Sequence, residues 1–160
     1  MLPAPLRTRL RIVQQCRPED LQRVRAAYAA QGVEAELAAF FPDMAARLAA
    51  AHFVVARAGA STVAELCVVG RPALLVPLPA SIDQHQRFNA MASGADVLEQ
   101  SAFEATPQVL ADALAACLPF PGLLAAKARA VAQAGIPDAA VRLADLVEQM
   151  ARANLEGARA

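Results

Sequence analysis

A turn of small and hydroxylated residues is the feature of this sequence best suited to chemistry. The stretch reads ARAGASTVAELCVVGRPALLVPLP, residues 56–79, and its apolar runs flank a segment typical of a helix. The first N–H groups of a helix are unpaired and lie at the positive end of its dipole, so such a turn suits a phosphate group. Gly59 lets the backbone approach a ligand closely. Ser61 and Thr62 add hydroxyl donors, and Arg57 adds a permanent positive charge.

One acid follows this turn at a distance that suits a ribose. Glu65 lies about 5 Å along the helix from its start, since one turn rises by that amount. Its carboxylate can accept from both ribose hydroxyls of a nucleoside diphosphate compound, at about 1.5–3 kcal/mol for each hydrogen bond. A local alternative stays open, because Thr62 to Glu65 matches the T-x-x-E capping box and Ser61 can also cap a helix. Arg57 can equally be an ordinary surface arginine.

A second polar segment, PLPASIDQHQRFNA at residues 77–90, crowds hydrogen-bonding side chains at the start of another helix. Asp83 is expected to cap that helix. His85 and Gln86 can then donate to and accept from several hydroxyls, as sugar recognition requires. The alternative for His85 is a partly exposed structural histidine. A metal site is not expected, because His52 is the other histidine and no Cys/His cluster exists.

Strands and helices alternate along the chain in the order that positions both segments. Turn signals and apolar runs predict strands over residues 10–16, 33–39, 53–56, 73–76 and 96–98, with helices between them and after the last. Such alternation predicts a parallel sheet with right-handed crossovers. Ligands of open parallel sheets bind at the carboxyl ends of the strands. Because residues 57–65 and 77–89 each follow a strand, we expect them on the same rim.

Composition limits the class of protein. A chain of 160 residues suits one domain, and no apolar run approaches the roughly 20 residues that span a bilayer. Fifteen basic and fifteen acidic residues balance, which removes any general reason to bind nucleic acid. Cys16, Cys67 and Cys117 are far apart in sequence, and their odd number favours reduced, cytosolic thiols. No signal peptide is recognised, so a cytoplasmic location is expected.

Three blocks together carry a family resemblance: R-A-G-A-S-T-V-A-E-L, G-R-P-A-L-L-V-P-L-P and D-Q-H-Q-x-x-N-A. In this order and spacing they resemble the C-terminal half of the MurG family, the UDP-N-acetylglucosamine:lipid I N-acetylglucosaminyltransferases of bacterial peptidoglycan synthesis. The resemblance implies an α/β fold, a Rossmann-like parallel sheet with helices on both faces. Residues 1–160 would form a single, incomplete C-terminal domain of a GT-B fold. It also implies inverting sugar transfer without metal or other cofactor.

The resemblance also implies which residues contact UDP-N-acetylglucosamine. Glu65 matches the ribose-binding glutamate. His85 and Gln86 match the pair that contacts the donor sugar, the first of which is often glutamine in the family. The remaining matches lie in the diphosphate turn and in the segment lining the uracil pocket: Arg57, Gly59, Ala60, Ser61, Thr62, Phe41 and Met44. The catalytic base is not assigned and is expected in the other half of the enzyme.

Two features of the family have no counterpart here. The glycine-rich G-G-S-x-G-A loop after the first strand is missing, and so is the N-terminal acceptor domain with its membrane-facing patch. The missing strand is expected to leave a sheet edge or face uncovered unless another chain covers it. Lipid I would bind through the missing domain, at the cytoplasmic face of the inner membrane, and this chain alone is expected to be inactive or nearly so.

Two other functions remain open from the sequence. One is a non-catalytic UDP-sugar-binding subunit that works with a partner chain supplying the N-terminal half. The other is a different GT-B enzyme, such as a glycolipid synthase or a UDP-sugar epimerase.

Overall fold

The computed structural model describes residues 2–157, and side chains within residues 2–152. Strands alternate with helices as expected. The strands are β1 (Arg11–Gln15), β2 (Glu34–Ala38), β3 (Val54–Ala56), β4 (Ala73–Leu75) and β5 (Asp96–Val97). The helices are α1 (Ala4–Arg7), α2 (Leu21–Ala30), α3 (Met44–Ala50), α4 (Ala60–Val69), α5 (His85–Ala92), α6 (Gln100–Ala105), α7 (Gln108–Cys117), α8 (Pro121–Gln133) and α9 (Ala139–Gly157). Short 3₁₀ helices over Pro18–Asp20 and Ile82–Gln84 precede α2 and α5.

The strands are parallel, but they form two sheets where the sequence predicts one. β1 pairs with β2, with Ile12 opposite Ala35. The other sheet has the order β3-β4-β5, with Val55 opposite Leu74. Among the described residues no strand joins β1 to β3, so the expected continuous sheet is divided.

The core lies around β4, whose three residues are all buried. Leu66 of α4, Leu75 of β4 and Val131 of α8 are the largest fully buried side chains. Burying each such side chain stabilises the fold by about 1.5–3 kcal/mol. Because α4 and α8 pack on this strand, the start of α4 is held at its carboxyl end.

The start of α5 differs from the sequence prediction. Asp83 was expected to cap this helix, but Gln84 occupies the N-cap position and α5 begins at His85. Asp83 and Gln84 both have left-handed backbone, with φ of 50° and 54°. Two consecutive non-glycine residues in this region are unusual, because Cβ crowds the neighbouring carbonyl. The helix α6 and the short α1 were not predicted from the sequence.

The last helix leaves an apolar face exposed. Five of its large apolar residues are each at least half exposed: Val141, Leu143, Leu146, Val147 and Met150. Within residues 2–157, no single helix has both the length and the apolar composition to cross a membrane; α7 and α8 meet that test only as a pair, bent by 101°.

Candidate functional site

The start of α4 is free of side-chain capping in the described structure. Gly59 is the N-cap residue, with extended backbone (φ −63°, ψ 146°), and no side chain caps the helix. The N–H of Val63 donates to the carbonyl of Gly59 at 3.0 Å. Ser61 and Thr62 therefore lie within the first turn, beyond the position from which a hydroxyl caps a helix. The first-turn amides can thus face a ligand.

Glu65 does not belong to a capping box. That motif requires Thr62 at the N-cap, but Thr62 is the third helical residue and Glu65 the sixth. The Glu65 side chain is exposed, in the second turn of α4. The local interpretation of this glutamate is therefore wrong, and the carboxylate is available to a ligand.

Arg57 is anchored across the rim. Its Nη1 donates to Oε1 of Gln100 at 2.7 Å and to the carbonyl of Val76 at 3.2 Å. A longer contact of 3.4 Å reaches the carbonyl of Pro77. The guanidinium thus joins the ends of β3 and β4 to α6. It adds positive charge to the rim, and its hydrogen bonds position the loop that follows β4.

The second predicted segment contributes side chains with one group already engaged. Oε1 of Gln86 accepts from the N–H of Leu78 at 3.0 Å, which leaves its amide NH₂ as a donor. Nδ1 of His85 lies 2.7 Å from the carbonyl of Ile82. Because a carbonyl only accepts, Nδ1 carries the proton, and Nε2 of the neutral ring is an acceptor. Both residues start α5.

Asn89 joins the two segments directly. Its Nδ2 donates to the carbonyl of Ala58 at 3.1 Å, and Ala58 is completely buried. The turn after β3 and the first turns of α5 therefore lie together, as the topology predicts. The sequence analysis quoted Asn89 within the D-Q-H-Q-x-x-N-A block but gave it no role. Gln100 had no signal at all, because its contact with Arg57 spans 43 residues.

The segment after β2 contains two phenylalanines in opposite environments. Phe41 is 5% exposed and the guanidinium of Arg47 lies 4.1 Å from its ring centroid, whereas Phe40 is 72% exposed. Met44 packs against the hydrophobic core. A hydrogen bond from Arg47 lowers the pKa of Asp43, which keeps this carboxylate charged. The sequence analysis selected Phe41 and missed the exposed Phe40, although the two are adjacent.

A separate depression lies away from these residues. It has a volume of about 390 Å³, and its lining includes Leu98, Cys117 and the Asp96–Lys127 pair. Lys127 Nζ lies 2.6 Å from both carboxylate oxygens of Asp96, so these charges are matched with each other. None of the predicted site residues lines this depression, and its lining is mainly apolar. It does not have the features of a nucleotide site.

Comparisons with known proteins agree on one family. A model described as the glycosyltransferase family 28 C-terminal domain matches residues 3–143. The chain is 54% identical to the UDP-N-acetylglucosamine--N-acetylmuramyl-(pentapeptide) pyrophosphoryl-undecaprenol N-acetylglucosamine transferase of Granulibacter bethesdensis, covering 100% of this chain and 41% of that protein. Identity to the protein of the same name from Rhodospirillum rubrum is 52%, covering 91% of this chain and 38% of the relative.

The fold agrees with a solved structure. The crystal structure of Acinetobacter baumannii MurG superposes with a TM-score of 0.79 at 32% identity, over 88% of this chain and 41% of that chain. The chain spans about two fifths of the length of these relatives.

Proposed function

The chain belongs to the family of glycosyltransferase family 28 C-terminal domains, and we propose that it is the donor-binding part of an N-acetylglucosaminyltransferase that uses UDP-N-acetylglucosamine. Its α/β fold is that of the C-terminal domain of the GT-B enzyme MurG. The relatives are named as transferases of N-acetylglucosamine to a pyrophosphoryl-undecaprenol acceptor. In this proposal, residues 1–160 act as one incomplete UDP-sugar-binding domain.

The observation that carries the proposal is the uncapped start of α4 with an exposed acid one turn further on. The diphosphate binds at the amides of Ala60, Ser61 and Thr62, where the helix dipole favours negative charge and Gly59 permits close approach. The two hydroxyls add donors. The Glu65 carboxylate accepts from the ribose hydroxyls, because it lies about 5 Å deeper along the same helix.

The sugar binds at the start of α5 through complementary groups. The NH₂ of Gln86 donates to a sugar hydroxyl, since its Oε1 already accepts from Leu78. Nε2 of His85 accepts from a hydroxyl, since Nδ1 is engaged with Ile82. One donor and one acceptor side by side suit the hydroxyls of a hexose, each of which can take either part.

The uracil ring binds beside the segment after β2. Phe41 and Met44 form the packed support of this pocket, and the exposed ring of Phe40 provides an additional stacking surface. An aromatic side chain contributes about 1–3 kcal/mol when it stacks on a base.

The whole enzyme would transfer N-acetylglucosamine to lipid I with inversion. The acceptor hydroxyl oxygen forms a bond to C1 of the sugar, the C1–O bond to UDP breaks, and UDP keeps the electron pair. The start of α4, with the charge of Arg57 nearby, stabilises the negative leaving group. The base that takes the acceptor proton, and the surface for lipid I at the cytoplasmic face of the inner membrane, belong to a part of the protein that this chain does not contain.

Titration of UDP and UDP-N-acetylglucosamine into the purified chain, by calorimetry, tests the donor site. We expect both to bind, UDP-N-acetylglucosamine more tightly, and we expect sugar transfer only after the N-terminal part of the Granulibacter bethesdensis relative is added. Folded protein that binds neither compound would refute the proposal. Tighter binding of another UDP-sugar would assign the site to a different GT-B enzyme. Donor binding without transfer in the reconstituted mixture would identify a non-catalytic subunit.

A further inference from the structure

Each of the two sheets ends on both sides at an unpaired strand, which leaves four outer edges within the described residues. β1 and β2 form one sheet, while β3 and β5 are the outer strands of the other. Exposed edges promote pairing with other chains, and proteins protect permanent edges with charged side chains or very short strands. The four edges differ in this respect.

The edges of β2 and β5 are built as permanent edges. β2 carries Glu34 and Glu36, and Glu36 is held by Arg47 at 2.9 Å. β5 has only two residues, and its Asp96 pairs with Lys127. Charge on one edge and short length on the other disfavour the addition of a further strand.

The edges of β1 and β3 lack this protection at their central positions. Val13, in the middle of β1, is 50% exposed, and Val55, in the middle of β3, is 47% exposed. Strands of an all-parallel sheet are normally covered on both faces and have continuous apolar sequences. Exposed valines in the middle of two such strands indicate that each lacks a neighbour and a covering helix.

The backbone of the same two residues faces the open edges. The N–H of Val54 donates to Pro72 and the carbonyl of Ala56 accepts from Val76, so both residues face β4. In a parallel ladder alternate residues face opposite sides, so the N–H and carbonyl of Val55 face away from β4. Likewise the N–H of Cys16 donates to Ala38, and Val13 therefore faces away from β2.

We propose that one parallel strand, from the part of the longer protein that precedes this domain, inserts between β1 and β3. The resulting sheet has the order β2-β1-inserted strand-β3-β4-β5. The occupant is preceding chain because the matched family model describes a C-terminal domain and this chain covers 41% of its Granulibacter bethesdensis relative. A parallel neighbour also requires a crossover helix, which would cover the exposed valines. The inference goes beyond the donor site and holds for any nucleotide sugar.

The connection between the sheets has enough length for this arrangement. In the proposed order β2 and β3 are three strand spacings apart, about 14 Å at about 4.8 Å for each spacing. Residues 39–53, which include α3, link these strands. An extended chain covers about 3.3 Å for each residue, so the segment spans the distance easily.

The test adds a strand–loop–helix fragment to the isotope-labelled chain and measures amide hydrogen exchange by NMR. The probe is the segment of about 30 residues that immediately precedes the matched region in the Granulibacter bethesdensis relative, the length of a βαβ unit. We expect exchange to slow at least about tenfold at the amides of Val13 and Val55. The amides of Ala35 and Leu37, which face the outer edge of β2, should not change.

Matched proline variants identify the edge. Val55→Pro removes a donor that faces the open edge, and it should weaken fragment binding at least about tenfold, while Ala35→Pro on the outer edge of β2 should not. Val13→Pro gives the same measurement if Val55→Pro does not fold. Absence of binding, protection of Ala35 and Leu37, or protection of Val13 and Val55 by concentration of the chain alone would overturn the proposal. The last result would identify a second copy as the occupant.

Discussion

Glu65 separates a structural role from a binding role at the start of α4. An N-terminal carboxylate often stabilises its own helix, but Glu65 lies beyond the first turn, where the effect of the helix dipole is small. Its side chain is exposed, and Gly59 provides the N-cap position. A substitution at Glu65 should therefore affect the ligand and leave the fold intact.

We predict that Glu65→Ala weakens UDP binding about 10- to 100-fold, the equivalent of about 1.5–3 kcal/mol for a charged hydrogen bond. The free energy of unfolding should change by less than about 0.5 kcal/mol, as for other surface substitutions. Calorimetry and thermal unfolding measure the two quantities. Glu148→Ala, at an exposed glutamate of α9, is the control and should change neither. A stability loss with unchanged UDP affinity would return Glu65 to a structural role.

His85 is predicted to distinguish the sugar from the nucleotide. Because only its Nε2 is left for a ligand, His85→Ala should weaken UDP-N-acetylglucosamine binding about tenfold, the loss of roughly one hydrogen bond, and leave UDP affinity nearly unchanged. The two titrations are compared on the same preparation. His52→Ala, at the other histidine, serves as the control. Equal losses for both ligands would exclude His85 from the sugar pocket.

At the scale of the elements, Asn89 holds the β3–α4 turn against α5. The carbonyl that it satisfies belongs to the buried residue Ala58, so removing the donor leaves a buried acceptor unpaired. The turn and the sugar segment would then lose their direct connection. Binding and stability should both respond, in contrast to the effect at Glu65.

We predict that Asn89→Asp lowers the free energy of unfolding by about 1–3 kcal/mol, because a carboxylate has the same shape but cannot donate to the Ala58 carbonyl. UDP affinity should also decrease. Gln133→Glu makes the same amide-to-acid change at an exposed position of α8 and controls for charge. Denaturant unfolding measures the stability. An unchanged value would show that the hydrogen bond to Ala58 contributes nothing.

Two glycines predict opposite effects of the same substitution. A Cβ on Gly94 would lie 2.6 Å from the carbonyl oxygen of Ala130, at a positive φ of 71°. Gly94→Ala should therefore destabilise by more than about 1 kcal/mol, the usual cost of left-handed backbone alone. Gly122, in α8, has open space around it, and Gly122→Ala should be neutral or stabilise by up to about 1 kcal/mol. Thermal unfolding of both variants tests the close packing of α8 on residue 94.

At the scale of the whole molecule, burial separates the three thiols. Burial raises the pKa of Cys67 and of Cys117, which lowers the thiolate fraction at any given pH. Cys16 is only partly buried. The core around β4 and α7 thus protects two cysteines, while the third lies after β1.

We predict that iodoacetamide at pH 8 alkylates Cys16 first, at least about tenfold faster than Cys67 and Cys117, because alkylation requires an accessible thiolate. Mass spectrometry of a time course measures the order. In denaturant all three should react at similar rates. Rapid reaction of Cys67 in the native protein would contradict the packing of α4 against its neighbours.

Much of the local structure follows from the sequence. The strand–helix alternation, the bounds of α4 at Ala60–Val69 and the parallel pairing all agree with sequence expectations, because apolar periodicity, Gly70 and the prolines act over a few residues. The resemblance carried by three short blocks also identified the family correctly. The roles of the predicted site residues remain predictions.

Tertiary structure decided what depends on distant residues. It set the N-cap of α4 at Gly59, which removed the capping interpretation of Thr62 and Glu65, and it joined Arg57 to Gln100 and Asn89 to Ala58. It also divided the strands into two sheets. Hydrogen bonds between strands form with whichever edge lies beside them in space, so a pattern read along one chain predicts a strand and cannot predict its neighbour.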